Sequence, residues 1–419
     1  MTAVPPIGFV ADDISGATDL ASALAGRGLE TRLFFAGAPI LAEGADALVL
    51  ALKIRSVPSA EARQAAVEAA EALGAAGAVQ LFSKYCSTFD STAEGNIGPI
   101  ADALLDRAGG RLVVHCPAYP ANGRTVYLGH LFVHGELLGE SPMRDHPLNP
   151  MRDSLLTRVL AAQTPRGVSL VPLPVIEAGT GAVAERLDEA AAAGARHAIA
   201  DAVRESDLET LAAAVAGEAV VAGGAAFGAA FAVAARGRSA ERSGAGARAE
   251  VPPGPAAILA GSLSPATREQ VARFDGPVLE LSVAEMVDGE AALERMAVFA
   301  GGGLGRGPVL ITTESAGAGA VAGEEAPSHD VVARRIERTM GRLGAELQRL
   351  GVKRLIVAGG ETSGAVADAL GLGGMRIGPD ISIGVPWMVT EDRSLGVAFK
   401  SGNFGSPSFF EEALEVAGG

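Results

Sequence analysis

Cysteine is scarce: the chain of 419 residues holds two, Cys86 and Cys116. Two cysteines supply no disulfide framework, and a reducing cytoplasm is the expected compartment. Aromatic residues make up only 4% of the sequence. Basic residues are outnumbered, 34 Lys and Arg against 49 Asp and Glu, for a formal net charge of −15. That balance argues against nucleic acid or a membrane surface as the main partner. An anionic substrate must then be met by particular Lys and Arg side chains or by backbone N–H groups. No apolar run is long enough to span a bilayer, and residues 1–8 lack the basic-then-apolar order of a signal peptide. Internal repeats and low-complexity tails are missing. The glycines at 359 and 360 are not followed by Lys-Ser or Lys-Thr, so that turn is not a Walker A loop.

Hydrophobic residues reach 48%, enough for sizeable cores, and the length suggests two or three domains. Short apolar runs alternate with Ala-rich helical patterns. Residues 31–35, 47–52, 79–82, 112–116, 169–172, 197–202 and 218–222 read as strands, with helices such as 59–73 between them. Residues 117–151 read as a long irregular stretch, the kind that is usually functional inside a compact domain. Composition shifts at 236–255, which is charged, Gly-rich and Pro-rich with no periodicity, a linker. After it come strands at 257–260, 278–281, 309–312 and 355–358, and a long helix over 331–350. Residues 381–389 and 395–400 read as antiparallel strands. The expected fold is α/β: two α/β domains with mostly parallel sheets and an active-site cleft between them. The boundaries are 1–235 for a substrate-binding domain, 236–255 for the linker and 256–419 for a nucleotide-binding domain.

In the first half, a short strand at 7–10 runs into Ala11-Asp12-Asp13-Ile14-Ser15-Gly16-Ala17-Thr18-Asp19. Carboxylates at the carboxyl end of a first strand sit where open α/β sheets bind ligands. Adjacent Asp12 and Asp13 point in different directions, so one can face a substrate hydroxyl while the other caps the turn. Lys84-Tyr85-Cys86-Ser87-Thr88-Phe89-Asp90 follows another strand. A lysine, several hydroxyls and an Asp in one loop suit a polyhydroxylated acid, with Lys84 as a point charge for its carboxylate. Arg124 and Arg144 can grip a carboxylate bidentately. Cys86 has no His or Cys partner at ligand spacing and reads as structural. His130, His134 and His146 lack metal-ligand spacing, and no metal-ligand set is assigned.

In the second half, Leu355-Ile356-Val357-Ala358 leads into Gly359-Gly360-Glu361-Thr362-Ser363-Gly364 and then a helix. Glycine allows φ > 0 and close approach of a ligand, and the N–H groups at the start of a helix favour an anion. Gly261-Ser262-Leu263-Ser264 forms a second small-residue turn between strand and helix, and Lys400-Ser401-Gly402-Asn403-Phe404-Gly405 a third. These turns read as phosphate cradles. The nearest approach to a dinucleotide fingerprint, Gly301-Gly302-Gly303-Leu304-Gly305, has no strand before it and a proline at 308, which weighs against a Rossmann dehydrogenase.

The opening motif Ala11 to Asp19 resembles that of the four-carbon acid sugar kinases. Ser87-Thr88-Phe89-Asp90-Ser91-Thr92 with Gly95-Asn96-Ile97-Gly98 is similar to their substrate segment, and the preceding Lys84-Tyr85-Cys86 looks like the 3-oxo-tetronate kinase branch. Residues 117–151, 359–366 and 400–405 are also similar to that branch, so the likeness covers nearly the whole chain. Ser15 stands where Thr is usual, and 236–255 matches nothing. The resemblance implies an ATP-dependent kinase acting on the 4-hydroxyl of a 3-oxo-tetronate, with Mg2+ on the phosphates. It implies nucleotide contacts at Ser262 or Ser264, at Gly359, Gly360, Glu361, Thr362 and Ser363, and near Gly402. On this reading Asp12 or Asp13 serves the attacking hydroxyl, and Lys84, Ser87, Thr88, Asp90 and Arg124 hold the sugar acid. The expected partners are the sugar acid and ATP, without nucleic acid or membrane, and homodimerisation is left open. The alternatives are a D-threonate or D-erythronate 4-kinase and a non-kinase nucleotide-binding α/β protein.

Overall fold

Apolar runs of four or five residues, rich in Val, Ile, Leu and Ala, form strands covered on both faces, the pattern of parallel sheets. A computed structural model describes residues 4–145, 149–237, 248–314 and 329–418. The chain divides into two compact units, Met1–Ala247 and Arg248–Gly419.

The strands of the first unit are β1 Ile7–Ala11, β2 Thr31–Phe35, β3 Ala47–Ala51, β4 Gln80–Lys84, β5 Val113–Cys116, β6 Arg124–Tyr127, β7 His130–Val133, β8 Glu136–Leu137, β9 Gly167–Val171, β10 Ala195–Ala200 and β11 Val220–Gly223. Its main sheet runs β2-β3-β1-β4-β11-β5-β10-β9, parallel throughout. Successive connections leave β1 toward β3 and then cross to β4 on its other side. The strand order reverses there, and such a switch point opens a crevice at the carboxyl ends. Phe82, on β4, packs in an aromatic cluster: it lies 5.5 Å from Phe9, 6.0 Å from Phe227 and 5.9 Å from Phe231, centroid to centroid.

The stretch 117–151 is more ordered than its sequence suggests. Its described residues include a small antiparallel sheet, β6-β7-β8. The buried Asp201 pins this sheet, accepting from the N–H groups of Leu128 at 2.6 Å, Gly129 at 2.9 Å and Leu173 at 2.9 Å. His146 and its two successors lie outside the described residues.

The second unit contains β12 Ala256–Ala260, β13 Val278–Leu281, β14 Val309–Thr313, β15 Arg354–Ala358, β16 Met375–Ser382, β17 Val385–Thr390 and β18 Gly396–Lys400. They are ordered β13-β14-β12-β15-β18-β17-β16. The first five in that order run parallel, and β17 is antiparallel to both β18 and β16. The expected strand 381–389 is two strands: it breaks at Gly384, whose φ of 77° makes the hairpin turn. Trp387, fully buried in this unit's core, donates its indole N–H to the Ala413 carbonyl at 2.9 Å. The Gly301 to Gly305 run closes a helix, Glu290–Gly303, and so cannot be a strand-to-helix phosphate loop. Of the expected linker, residues 238–247 lie outside the described residues, while Arg248 pairs with Asp380 at 2.6 Å and belongs to the second unit. Among the described residues no helix is long and apolar enough to cross a membrane.

Candidate functional site

In the first unit, Ala11 is level with Ala51 on one side and with Lys84 on the other. Three segments therefore leave the sheet at one height: Asp12-Asp13, the loop after β3, and Lys84 with its hydroxyl-rich continuation. Asp13 has extended backbone and caps the helix Ile14–Gly26, its carboxylate accepting from Gly16 N–H at 2.9 Å. Asp12 is buried, and its side chain is free of that duty.

Arg55, in the loop after β3, draws these groups together. Its guanidinium grips Asp12 with two bonds, Nε to Oδ2 at 2.9 Å and Nη2 to Oδ1 at 2.8 Å, and donates to Asp13 Oδ1 at 2.7 Å. Asp90 Oδ2 stands 3.8 Å from Nη1. Burial opposes the guanidinium charge, but Asp12 and Asp13 outweigh it and hold Arg55 well above its usual value. Burial also raises the Asp12 carboxyl above the ordinary carboxylate range, against the pull of Arg55 and Lys84. Asp19, half-buried further along the helix, is pushed up to about 6 by burial, with Lys84 and Arg124 drawing it down and Asp13 raising it. A carboxylate held by a guanidinium, beside a second cation, suits hydroxyl activation and anion binding.

Lys84 is buried and donates to the Tyr85 carbonyl at 3.0 Å. A Cβ built on Gly16 would lie 2.9 Å from its Nζ and 2.4 Å from Asp13 Oδ1, so the glycine is what lets the helix pass beside both charges. Thr88 donates to Asp90 at 2.5 Å. Ser87 is half-buried beside them. Cys86 lies 2.9 Å from the Thr88 hydroxyl, and burial pushes its thiol up to about 12, which suits a structural residue and not a nucleophile. Arg124 donates to the Asn122 carbonyl, and its buried Nε has no hydrogen-bond partner. Arg144 donates to the Gly139 carbonyl at 3.3 Å, a separate part of the same stretch. A small cavity of about 10 Å³ under the turn is lined by Asp12, Lys84, Tyr85 and Ile54, among others.

Sequence reasoning missed Arg55 and the role of Asn96. The Asn96 side-chain amide donates to the carbonyls of Ile54 at 2.9 Å and Val57 at 2.8 Å, fixing the loop that carries Arg55. The one available signal was an arginine just past a strand end. Asn96→Ala leaves those carbonyls without their donor. It is expected to cost about 1–3 kcal/mol, measured as a lower urea midpoint, and to reduce turnover through a displaced Arg55. Asn96→Asp, which faces carbonyls with a carboxylate, is expected to be worse. Equal behaviour of both variants and the parent chain would remove Asn96 from this account.

In the second unit, Ala260, Ala358 and Lys400 end their strands in register, so the three small-residue turns emerge side by side. Gly261 and Ser262 both donate to the Ala358 carbonyl, at 3.0 and 3.1 Å, and Gly359 donates to the Lys400 carbonyl at 2.9 Å. Gly359 has φ 131° and ψ 133°, a conformation that L side chains rarely adopt. Ser363, fully buried, bonds back to the Gly359 carbonyl at 2.7 Å. Ser264 caps the helix Pro265–Arg273 and donates to the Gly402 carbonyl at 2.6 Å. A Cβ on Gly261 would come within 2.1 Å of Thr362 Oγ1, and one on Gly402 within 2.2 Å of Ser262 Oγ. A Cβ on Gly360 would meet nothing within 4 Å. Gly360 therefore opens the first turn of the helix Gly360–Ala369 to whatever approaches, and Glu361 beside it is exposed. The turns are closed against one another and open at a helix start, as an anion site requires. Among the described residues no group of three or more His, Cys, Asp and Glu could hold a metal ion.

Residues 7–231 match the model of a sugar-binding N-terminal domain, and residues 257–410 that of a nucleotide-binding C-terminal domain. The chain is 43% identical to the 3-oxo-tetronate kinase of Burkholderia multivorans over 99% of its own length and 98% of that protein's. It is 44% identical to the one from Methylobacterium radiotolerans, over 98% and 99%. A crystal structure from Salmonella typhimurium LT2, provisionally called a tRNA synthase, is 38% identical with a TM-score of 0.84, covering 97% of this chain and 98% of that one. A Haemophilus influenzae crystal structure is 38% identical with a TM-score of 0.78, covering 98% and 99%. Matched by both domain models in succession and alike to these relatives over nearly its full length, the chain belongs to the four-carbon acid sugar kinase family.

Proposed function

We propose that the chain is an ATP-dependent kinase that transfers the γ-phosphoryl group to the C4 hydroxyl of a 3-oxo-tetronate. The observation that carries this reading is its likeness, at 43% and 44% identity and over nearly the full length, to relatives named 3-oxo-tetronate kinase. The geometry supports it: one unit gathers Asp12, Arg55 and Lys84 at a switch point, and the other gathers three small-residue turns. The tRNA synthase name is not carried over, because a net charge of −15 is poorly suited to an RNA partner.

In this mechanism Lys84 and Arg124 receive the carboxylate of the sugar acid. Thr88 and Asp90, with Ser87 beside them, receive its hydroxyls. Asp12 takes the proton of the C4 hydroxyl as its oxygen attacks phosphorus and the bond to the ADP leaving group breaks. Arg55 keeps Asp12 aimed and, against its burial, pulls it toward the charged form until the hydroxyl arrives. The amides around Gly359, Gly360 and Gly402, with the hydroxyls of Ser262, Ser264, Thr362 and Ser363 ordering the turns, hold the nucleotide phosphates. Mg2+ would travel on those phosphates, with exposed Glu361 as the carboxylate at hand, and would supply charge neutralisation. Phosphoryl transfer leaves the protein mainly positioning and charge stabilisation to perform.

A substrate panel read by ADP release tests the assignment. The largest kcat/KM is expected with a 3-oxo-tetronate. A larger value with D-threonate or D-erythronate would move the chain to that kinase activity, and no ADP release with any of them would end the kinase reading.

A further inference from the structure

Lys400 ends β18 and is fully buried. Its ammonium donates to Thr267 Oγ1, to the Ser401 carbonyl and to the Gly402 carbonyl, each at 3.1 Å. These are three acceptors for three N–H bonds, and none is a carboxylate. The ring of Phe409 lies 5.8 Å from Nζ. A buried ammonium with no carboxylate partner among the described residues is costly, and burial draws its pKa down to about 8, which still leaves it largely charged at neutral pH. Charge at such expense is usually retained for what it does.

Its position shows what that is. In a trans peptide the C=O of one residue and the N–H of the next point in opposite directions. The Ser401 carbonyl faces the ammonium, so the Gly402 N–H faces away from it. The Gly402 carbonyl also faces the ammonium, so the Asn403 N–H faces away as well. Two consecutive amides directed to one side form a concavity for an anion. The Gly402 carbonyl is further held by Ser264 at 2.6 Å and Thr267 at 2.7 Å, and Gln270 fixes the rest of the turn through the carbonyls of Phe404 and Ser406. The same lysine thus ties the third turn to the helix that follows the second.

We propose that Lys400 is a built-in cation of the nucleotide site, a positioning residue that aims the Gly402 and Asn403 amides at the polyphosphate and lends it positive charge from behind the turn. This rests on the reading of these turns as the nucleotide site. The ammonium touches no ligand. It acts through the peptide groups it orders.

Steady-state kinetics with Mg-ATP and a 3-oxo-tetronate, together with calorimetric binding of Mg-ATP alone, test the idea. Lys400→Met keeps the length and apolar stem of the side chain. It is expected to raise the KM and Kd for ATP roughly 10- to 100-fold, the weight of one charge-assisted contact, with the KM for the sugar acid within two-fold. Thr267→Val keeps the ammonium but removes one acceptor, and is expected to raise the ATP constants several-fold by loosening the turn. It also serves if Lys400→Met does not fold. In Lys400→Ala, added propylammonium is expected to recover part of the ATP affinity. Mg-ATP affinity unchanged in Lys400→Met, or in Thr267→Val where only that variant folds, would overturn the inference while leaving the kinase reading intact. Equal rises in both KM values would reduce Lys400 to a structural residue. Failure of the parent chain to bind Mg-ATP would overturn both.

Discussion

Asp12→Asn is expected to lower kcat with ATP and a 3-oxo-tetronate by roughly 10²–10⁴-fold, the usual weight of a general base, with the Kd for Mg-ATP nearly unchanged. The neighbouring substitution is the control. Asp13→Asn keeps an oxygen able to accept from Gly16 N–H, and Asn is as good a helix cap as Asp. It should leave kcat within a few-fold of the parent value. Asp13→Ala removes the cap and is expected to cost about 1 kcal/mol of stability. The distinction follows from the structure: Asp13 already spends its side chain on the helix end and on Arg55, whereas the oxygens of Asp12 accept from Arg55 and cap no helix. Near-parent turnover in Asp12→Asn would remove it as the base. A large loss in Asp13→Asn instead would reverse the two roles.

A pair of glycine substitutions is expected to separate folding from ligand approach in the second unit. Gly359→Ala places a Cβ on a backbone with φ 131°, 3.0 Å from Thr362 Oγ1 and 3.3 Å from Ser262 N. The strain should cost on the order of 1–3 kcal/mol, and the turn cannot keep its shape, so ATP affinity should fall by more than ten-fold. Gly360→Ala behaves differently. Its Cβ meets nothing within 4 Å, and alanine in a helix is better tolerated than glycine. The unfolding midpoint should hold or rise, yet the methyl group occupies the space through which phosphate approaches the helix start. Loss of ATP affinity with intact stability is the expected signature. If Gly360→Ala binds Mg-ATP as the parent chain does, the phosphates do not come to this turn.

The parts of the site legible in the sequence are those made by one continuous stretch. Asp12-Asp13, Lys84 to Asp90, Gly359 to Ser363 and Lys400 to Gly402 each follow a short apolar strand, and strand-then-turn chemistry is a local signal. Arg55 and Asn96 act on partners some 40 positions away, |i−j| 43 for Arg55 with Asp12 and 42 for Asn96 with Ile54. Nothing near Arg55 in the sequence shows that β3 will lie beside β1. That adjacency comes from crossover packing of parallel strands, which local composition does not encode. The sheet β6-β7-β8 was missed for a related reason. Its strands are short, and its anchor is Asp201, far along the chain. The break at Gly384 hid inside a run of β-formers that reads as one strand until the turn is seen.

The shortage of aromatic residues has a practical side. Trp387 is the single tryptophan of the chain, and it sits in the core of the second unit with its indole N–H bonded to Ala413. All three tyrosines, Tyr85, Tyr119 and Tyr127, belong to the first. Red-edge excitation therefore reports the melting of one unit alone, while tyrosine absorbance follows the other, so a single unlabelled sample shows whether the two lose their structure together or in turn.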